Sequence, residues 1–293
     1  MRVLILGASG MLGHKLCQTF MSRFETYATV RREPTWYAKY QIFNPQRLVG
    51  GVSAEDFDSV VRALAIVRPE VVVNCIGIVK QASAASDPIA SITINALFPH
   101  RVAELCRAIG ARFINISTDC VFSGRKGMYT EEDPSDAEDL YGRTKFLGEV
   151  SQPHCLTVRT SMIGRELETS MGLLEWFLSQ TGKKVFGYSR AIFSGFTTQA
   201  LAEILANIVS HHPALSGMWH VSSQPISKYE LLMLIKEILG VNVEIEQHDA
   251  YVCDRSLDSA RFRAVTGFTP ATWREMILQL RDDSIPYEIA RGK

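Results

Sequence analysis

"RVLILGASGMLG", residues 2–13, sets a short β-branched run directly against glycines 7, 10 and 13. A buried strand that breaks at glycine and resumes as a helix leaves bare backbone at the helix N-terminus, where unpaired N–H groups suit a pyrophosphate. The spacing here is G-x-x-G-x-x-G, and its context gives it weight. Gly7, Ser9, Gly10, Met11, Leu12 and Gly13 are therefore the first expected cofactor contacts. The same alternation continues: "TYATV" (26–30), "EVVVNCIG" (70–77), "ARFINIS" (111–117) and "HCLTVRT" (154–160) each adjoin a segment of helical period. Parallel strands with crossover helices follow, so the expected fold is α/β, a doubly wound parallel sheet of the dinucleotide-binding Rossmann type.

Local signals punctuate this pattern. Ser53 with Asp56 opens a helix that Pro69 closes, and Asp87-Pro88 places a cap before a first-turn proline. Ser227 and Glu230 form a capping box for "KYELLMLIKEIL" (228–239), which Gly240 ends. Pro99, inside a helical run, is expected to kink it at Asn95. Residues 125–139 read as a polar loop and "GYSRAIFSG" (187–195) as irregular structure.

With 293 residues, 46% hydrophobic and 21% charged, the chain can bury a sizeable core. Thirty-one basic residues balance 31 acidic ones, so no global field gathers nucleic acid or an anionic membrane. The apolar run 3–6 stops at Gly7, short of a signal-peptide core, and no stretch of about 18 apolar residues occurs elsewhere. A cytoplasmic protein is expected. The six cysteines (17, 75, 106, 120, 155, 253) show neither C-x-x-C nor metal-ligand spacing, so they read as reduced thiols and no metal is expected.

The second strand is expected to end near Val30, beside a bound adenosine ribose. Arg31 and Arg32 follow it, which suits the 2′-phosphate of NADPH; an acidic residue there would suit NADH, which stays open as a cofactor. "STDCVFSGRKGMYTEEDPSDAEDLYGRTKFLGE" (117–149) holds the candidate chemistry. Tyr141 and Lys145, at i and i+4, share a helix face, where the ammonium is expected to lower the phenol's pKa toward useful acid–base strength. Tyr141 can then hand a proton to a carbonyl oxygen as hydride arrives at its carbon, and Thr118, at the carboxyl edge of the sheet, can donate to the same oxygen.

"GASGMLG", "VVNCIG", "INISTDCVFSG", "YGRTKFLGE" and "VRTSMIG", in this order over residues 1–165, resemble the extended short-chain dehydrogenase/reductases. Within that superfamily the chain is most similar to the dTDP-4-dehydrorhamnose reductase family. The resemblance implies NAD(P)H-dependent reduction of the 4-keto group of a nucleotide-linked 6-deoxysugar, with Thr118, Tyr141 and Lys145 catalytic and Lys145 also holding the nicotinamide ribose. It further implies cofactor contacts from Asn44, Cys75, Ile76, Gly77 and Asn95, and substrate contacts from Thr118, Asp119, Val121 and Arg255. In this chain Asn74-Cys75-Ile76-Gly77 stands where the family usually reads N-A-A-A, Met162 where tryptophan is common, and Asn44, at the end of a strand expected at "KYQIF" (39–43), where relatives often carry an aspartate facing the adenine.

A dinucleotide-binding domain is expected over 1–163 with about 193–224, and a smaller substrate-binding domain over 164–192 and 225–293. Arginine suits a sugar-nucleotide diphosphate. Arg255 is the main candidate, while Arg159, Arg165, Arg190 and Arg261 read as surface charges or salt-bridge partners, and His220 as a satisfied core histidine. Monomer and homodimer both remain open. Two other function classes compete: a nucleotide-sugar epimerase or dehydratase with tightly held NAD, and a non-catalytic regulatory subunit. Dehydratases usually place a glutamate where this chain has Cys120.

Overall fold

The structure is a computed structural model and describes residues 1–285 and 287. Its first half follows the alternation of the sequence. Strand β1 (Arg2–Leu6) leads through the glycine turn into helix α1 (Gly13–Met21) and returns as β2 (Glu25–Thr29) and the short β3 (Leu48–Val49). Helix α2 (Phe57–Val67) precedes β4 (Val71–Asn74); α3 (Pro88–Ser91) and α4 (Phe98–Ile109) precede β5 (Arg112–Thr118). Helix α5 (Leu140–Leu147) leads to β6 (Cys155–Thr160) and β7 (Met162–Ile163). Then come α6 (Leu173–Leu178), β8 (Lys184–Tyr188), β9 (Ala191–Phe193), β10 (Phe196–Thr197), α7 (Thr198–His211) and β11 (Gly217–His220). The chain closes with β12 (Ile226–Ser227), α8 (Lys228–Leu239), β13 (Glu244–His248), β14 (Cys253–Asp254), α9 (Ala260–Thr266) and α10 (Trp273–Arg281).

Seven of these strands form one parallel sheet in the order β11-β6-β5-β4-β1-β2-β3. Strand order reverses between β1 and β4, so the crevice beyond their carboxyl ends is the place where such sheets bind ligands. The central strands are apolar on both faces: Val3, Ile5, Val71 and Val73 pack into one core, Leu4, Leu6 and Val72 into the other. The remaining strands make three small sheets, β10-β7, β12-β9-β14 and β13-β8.

Caps behave as their chemistry requires. Asp87 accepts from Ile89 and Ala90 N–H, with Pro88 in the first turn. The Ser227/Glu230 capping box forms, and Gly240 ends α8 in the left-handed region. Asp56 sits at the N-cap of α2 without a side-chain cap bond, and the helix ends at Val67 with left-handed Arg68 as its C-cap, directly before Pro69. Three expectations are corrected. "KYQIF" is no strand: a 3₁₀ helix covers Pro34–Tyr40, and Asn44 caps a second one at Pro45–Arg47. The run 187–195 is not irregular, because β8 pairs with β13 and β9 with both β12 and β14, partners 33 or more residues distant. Pro99 sits in the first turn of α4; the distortion before it is a π-helical turn, Ile92–Leu97, that carries Asn95.

Candidate active site

A cavity of about 1000 Å³ lies over the reversal point. Gly7, Ser9, Gly10, Met11 and Leu12 line one end, Thr118, Asp119, Tyr141 and Lys145 the middle, and Arg255 the other end. The glycines are needed for close approach. Gly7 has φ 79°, and a Cβ on it would stand 2.8 Å from Ile76 Cγ1; a Cβ on Gly13 would stand 2.3 Å from the Gly7 carbonyl oxygen. Gly13 therefore shapes the turn from behind and does not line the cavity.

Cys75, Ile76 and Gly77, beyond β4, form the facing wall. The loop is held by Asn95, whose amide donates to the Ile78 carbonyl oxygen (3.1 Å) and accepts from Ile78 N–H (2.8 Å). Asn95 thus lies behind the wall, not in the cavity, because the π-turn aims its side chain at the loop backbone.

At the adenosine end the two arginines diverge. Arg31 lines the cavity, whereas Arg32 stacks on Trp36 with its guanidinium 4.1 Å from the ring centre. Asn44 is exposed and away from the cavity, since its side chain caps the turn at Gln46. Val52, Ser53, Ala54 and Glu55 line the position expected of it. The Glu55 carboxyl is held below its usual range, first by the Ser53 hydroxyl and also by Arg31.

Asp139 caps α5 by accepting from Gly142 N–H at 2.7 Å. A Cβ on Gly142 would stand 2.2 Å from the Cys120 carbonyl oxygen, so glycine there lets α5 press onto the end of β5. That contact brings Tyr141 against Thr118. The Thr118 hydroxyl donates to Asp119 Oδ1 at 3.1 Å and also hydrogen-bonds the Tyr141 phenol. Lys145 Nζ donates to the Ile116 carbonyl oxygen at 2.7 Å. Burial pushes Lys145 down to about 8, with Glu149 opposing. The expected lowering of the phenol is absent: burial holds Tyr141 above the ordinary tyrosine range, Cys120 adds to that, and Thr118 opposes it. The ammonium is drawn onto a backbone carbonyl, and water is excluded around both groups. Asp119 is likewise raised by burial, with Arg255 opposing. Val121 is fully buried in a small core with Phe122, Tyr129 and Leu257, because the 3₁₀ turn at Asp119–Val121 points it inward.

Arg255 lines the cavity with its guanidinium braced on the carbonyl oxygens of Phe122 (2.8 Å) and Ser123 (3.2 Å). Arg159 pairs with Glu149 at 2.7 Å inside the protein. His220 is satisfied in the core, its Nδ1 2.9 Å from the Tyr129 carbonyl oxygen, and burial takes its pKa down to about 4. All six cysteines are free thiols. Among the described residues no helix is long and apolar enough to cross a membrane.

The pattern of the RmlD substrate binding domain matches residues 1–284. The chain belongs to that family. As a member of the RmlD family it is 27% identical over 290 residues to the spore coat polysaccharide biosynthesis protein SpsK of Bacillus subtilis, covering 94% of this chain and 95% of that one. It is 34% identical over 149 residues to dTDP-4-dehydrorhamnose reductase of Streptomyces griseus, a match that takes in half of this chain and 43% of that protein. A crystal structure of dTDP-4-dehydrorhamnose reductase from Bacillus anthracis in complex with NADP superposes with a TM-score of 0.77 over 95% of this chain and 98% of that one. Identity there is 19%, so the likeness is one of fold.

Two cations of this RmlD-family chain escaped the sequence reading. Lys228, the first residue of α8, and Lys80, beyond β4, both line the cavity. Asp119 feels Arg255 and Lys228; Cys120 feels Arg255 and Lys80. The capping box at Ser227 was a signal for Lys228, since it fixes where α8 begins. Nothing local marks Lys80, which pairs with Asp139 at 2.5 Å across the cavity mouth. The aromatic rim of Phe186, Tyr188 and Tyr251 was also missed, because β8 was not foreseen.

Proposed function

We propose that the chain is an NADPH-dependent reductase of the 4-keto group of a nucleotide-activated 6-deoxysugar, dTDP-4-dehydrorhamnose or a close analogue, in polysaccharide sugar biosynthesis. One observation carries this reading: Thr118, Tyr141 and Lys145 meet in the middle of one cavity that has a glycine turn at one end and Arg255 with Lys228 at the other. The residues fit the cofactor, since Gly7 and Gly10 line the cavity with bare backbone and a Cβ on Gly7 or Gly13 would force that turn or its facing wall apart. When bound, NADPH supplies the hydride. Tyr141, kept protonated by burial, gives its proton to the carbonyl oxygen as the carbon is reduced. Thr118, its single hydroxyl proton turned from Asp119 to the substrate, donates to the same oxygen, and Lys145 supplies positive charge behind the phenol. Arg255 and Lys228 are placed to take the diphosphate.

In this reading residues 1–163 with about 193–224 hold the cofactor, 164–192 with 225–293 the substrate, and the free thiols suit the cytoplasm. Glu55 beside Arg31 suits the free 2′-hydroxyl of NADH, so both cofactors belong in the assay. The test is cofactor oxidation by the purified chain against a panel of 4-keto-6-deoxy nucleotide sugars. Turnover with a stoichiometric loss of NADPH supports the reductase. A chain that co-purifies with NAD and interconverts sugars without net oxidation would be an epimerase or dehydratase.

A further inference from the structure

Helix α1 starts at the cofactor turn, and its second and third residues, His14 and Lys15, are buried polar side chains. The reaction above uses neither. Their partners come from the far end of the chain. His14 Nδ1 lies 2.9 Å from the Gly10 carbonyl oxygen, and its Nε2 lies 2.9 Å from the Tyr287 hydroxyl. That hydroxyl donates to Asp283 Oδ2 at 2.8 Å, and the same oxygen accepts from Lys15 Nζ and Gln199 Nε2. Lys15 Nζ and Arg165 Cζ lie 5.4 and 4.6 Å from the centre of the Tyr287 ring. Arg165 donates to Glu175, which also accepts from Glu166 N–H, and Glu166 accepts from Met171 and Gly172 N–H. A Cβ on Gly172 would stand 3.3 Å from Met11 of the cofactor turn.

Protons can be counted along this chain of bonds. A carbonyl oxygen only accepts, so His14 Nδ1 carries a proton. The phenol has one proton, and it goes to Asp283; its oxygen must then accept from Nε2. Both ring nitrogens are protonated and the ring is an imidazolium. Among the described residues, the charged and titratable groups facing it are Lys15 from α1, Asp283 and Tyr287 from the C-terminal segment, and Arg165 and Glu175 from the segment over the turn. Burial raises the Tyr287 phenol, which keeps it a donor, and lowers Lys15 against the pull of Asp283.

We propose that Tyr287 and Asp283 are positioning residues for the cofactor turn: acting through the His14 imidazolium, they fix the Gly10 carbonyl and preorganise the pyrophosphate cradle. This rests on the dinucleotide reading of the turn. Because the charged ring is the form with partners at both nitrogens, its contribution is present at low pH and lost as pH rises past the point where His14 gives up its proton.

The test uses the full chain, measuring the NADPH dissociation constant between about pH 6 and 9, a range that brackets the ordinary imidazole value. The proteins are the unmutated chain, Tyr287→Phe, His14→Asn and the double variant. Tyr287→Phe keeps the ring between its two cations and removes only the hydroxyl. It should weaken NADPH binding by about 3–10-fold at neutral pH, the worth of one hydrogen bond, and flatten the pH dependence. The double variant should bind no more weakly than His14→Asn alone. In the cofactor-free chain, NMR of the His14 ring should show both nitrogens protonated at neutral pH. Unchanged affinity and pH slope in Tyr287→Phe, or a singly protonated His14, overturns the proposal. An unmutated chain that does not bind NADPH overturns the dinucleotide reading and the proposal with it.

Discussion

Arg31 and Arg32 are adjacent in sequence and face different surroundings. Arg31 lines the adenosine end of the cavity, while Arg32 is engaged with Trp36. Arg31→Ala should therefore remove most of any preference for NADPH over NADH, on the order of 1.5–3 kcal/mol for a charge-assisted contact. Arg32→Ala should leave the ratio nearly unchanged. Dissociation constants for both cofactors check this, and an equal loss from the two variants would refute the division. The proposed catalytic residues separate in the same way. Tyr141→Phe keeps the packing and removes the proton, so turnover should fall by about 10²–10⁴-fold with NADPH binding retained. Lys145→Met should lower both. Since Lys145 is pushed down to about 8, its charge is lost as pH rises through that value, and single-turnover reduction should slow above it. A rate that keeps rising to pH 10 would show that the ammonium is dispensable.

The π-turn at Ile92–Leu97 matters at the scale of elements, because it lets one asparagine replace a missing strand partner. Asn95 satisfies both backbone groups of Ile78, and its own carbonyl lies against Gly148, where a Cβ would come within 1.9 Å of the oxygen. Asn95→Ala leaves the Ile78 groups unpaired and should destabilise by about 1–3 kcal/mol. Hydrogen exchange at Ile78 should speed up while the amides of β5 keep their protection. Gly148→Ala should be worse, because backbone must move. Equal melting temperatures for Gly148→Ala and the unmutated chain would show that the contact is soft.

For the whole molecule, His220 gives a pH signature. Its folded pKa of about 4 lies below the ordinary 6.5, because burial disfavours the charged ring and Arg159 adds to that. Between those values the unfolded chain binds a proton that the folded chain does not, so stability falls as pH drops through this window. The contribution is on the order of 2–3 kcal/mol. Chemical denaturation at pH 7, 5.5 and 4 should show the slope, and His220→Gln should reduce it. An identical slope in the variant would assign acid sensitivity to other groups, not to Asp119, whose raised carboxyl works in the opposite direction.

The sequence alone determined the parallel sheet, the glycine turn, the caps of α3 and α8 and the pairing of Tyr141 with Lys145 on one helix face. Each depends on the sterics and hydrogen bonds of residues within a turn or two of one another, and those travel with the chain. Only the tertiary structure decided what depends on distant partners. The strands at 184–193 exist because 244–248 and 253–254 pair with them. Ser53 to Glu55 replace Asn44 beside the adenosine end because the 3₁₀ turns redirect the chain. Lys80, Lys228 and Arg255 converge from three separate regions. The state of the Tyr141 phenol belongs to the same class. A neighbouring lysine is written in the sequence, but the first cause acting on the phenol is burial, a property of everything packed around the pair.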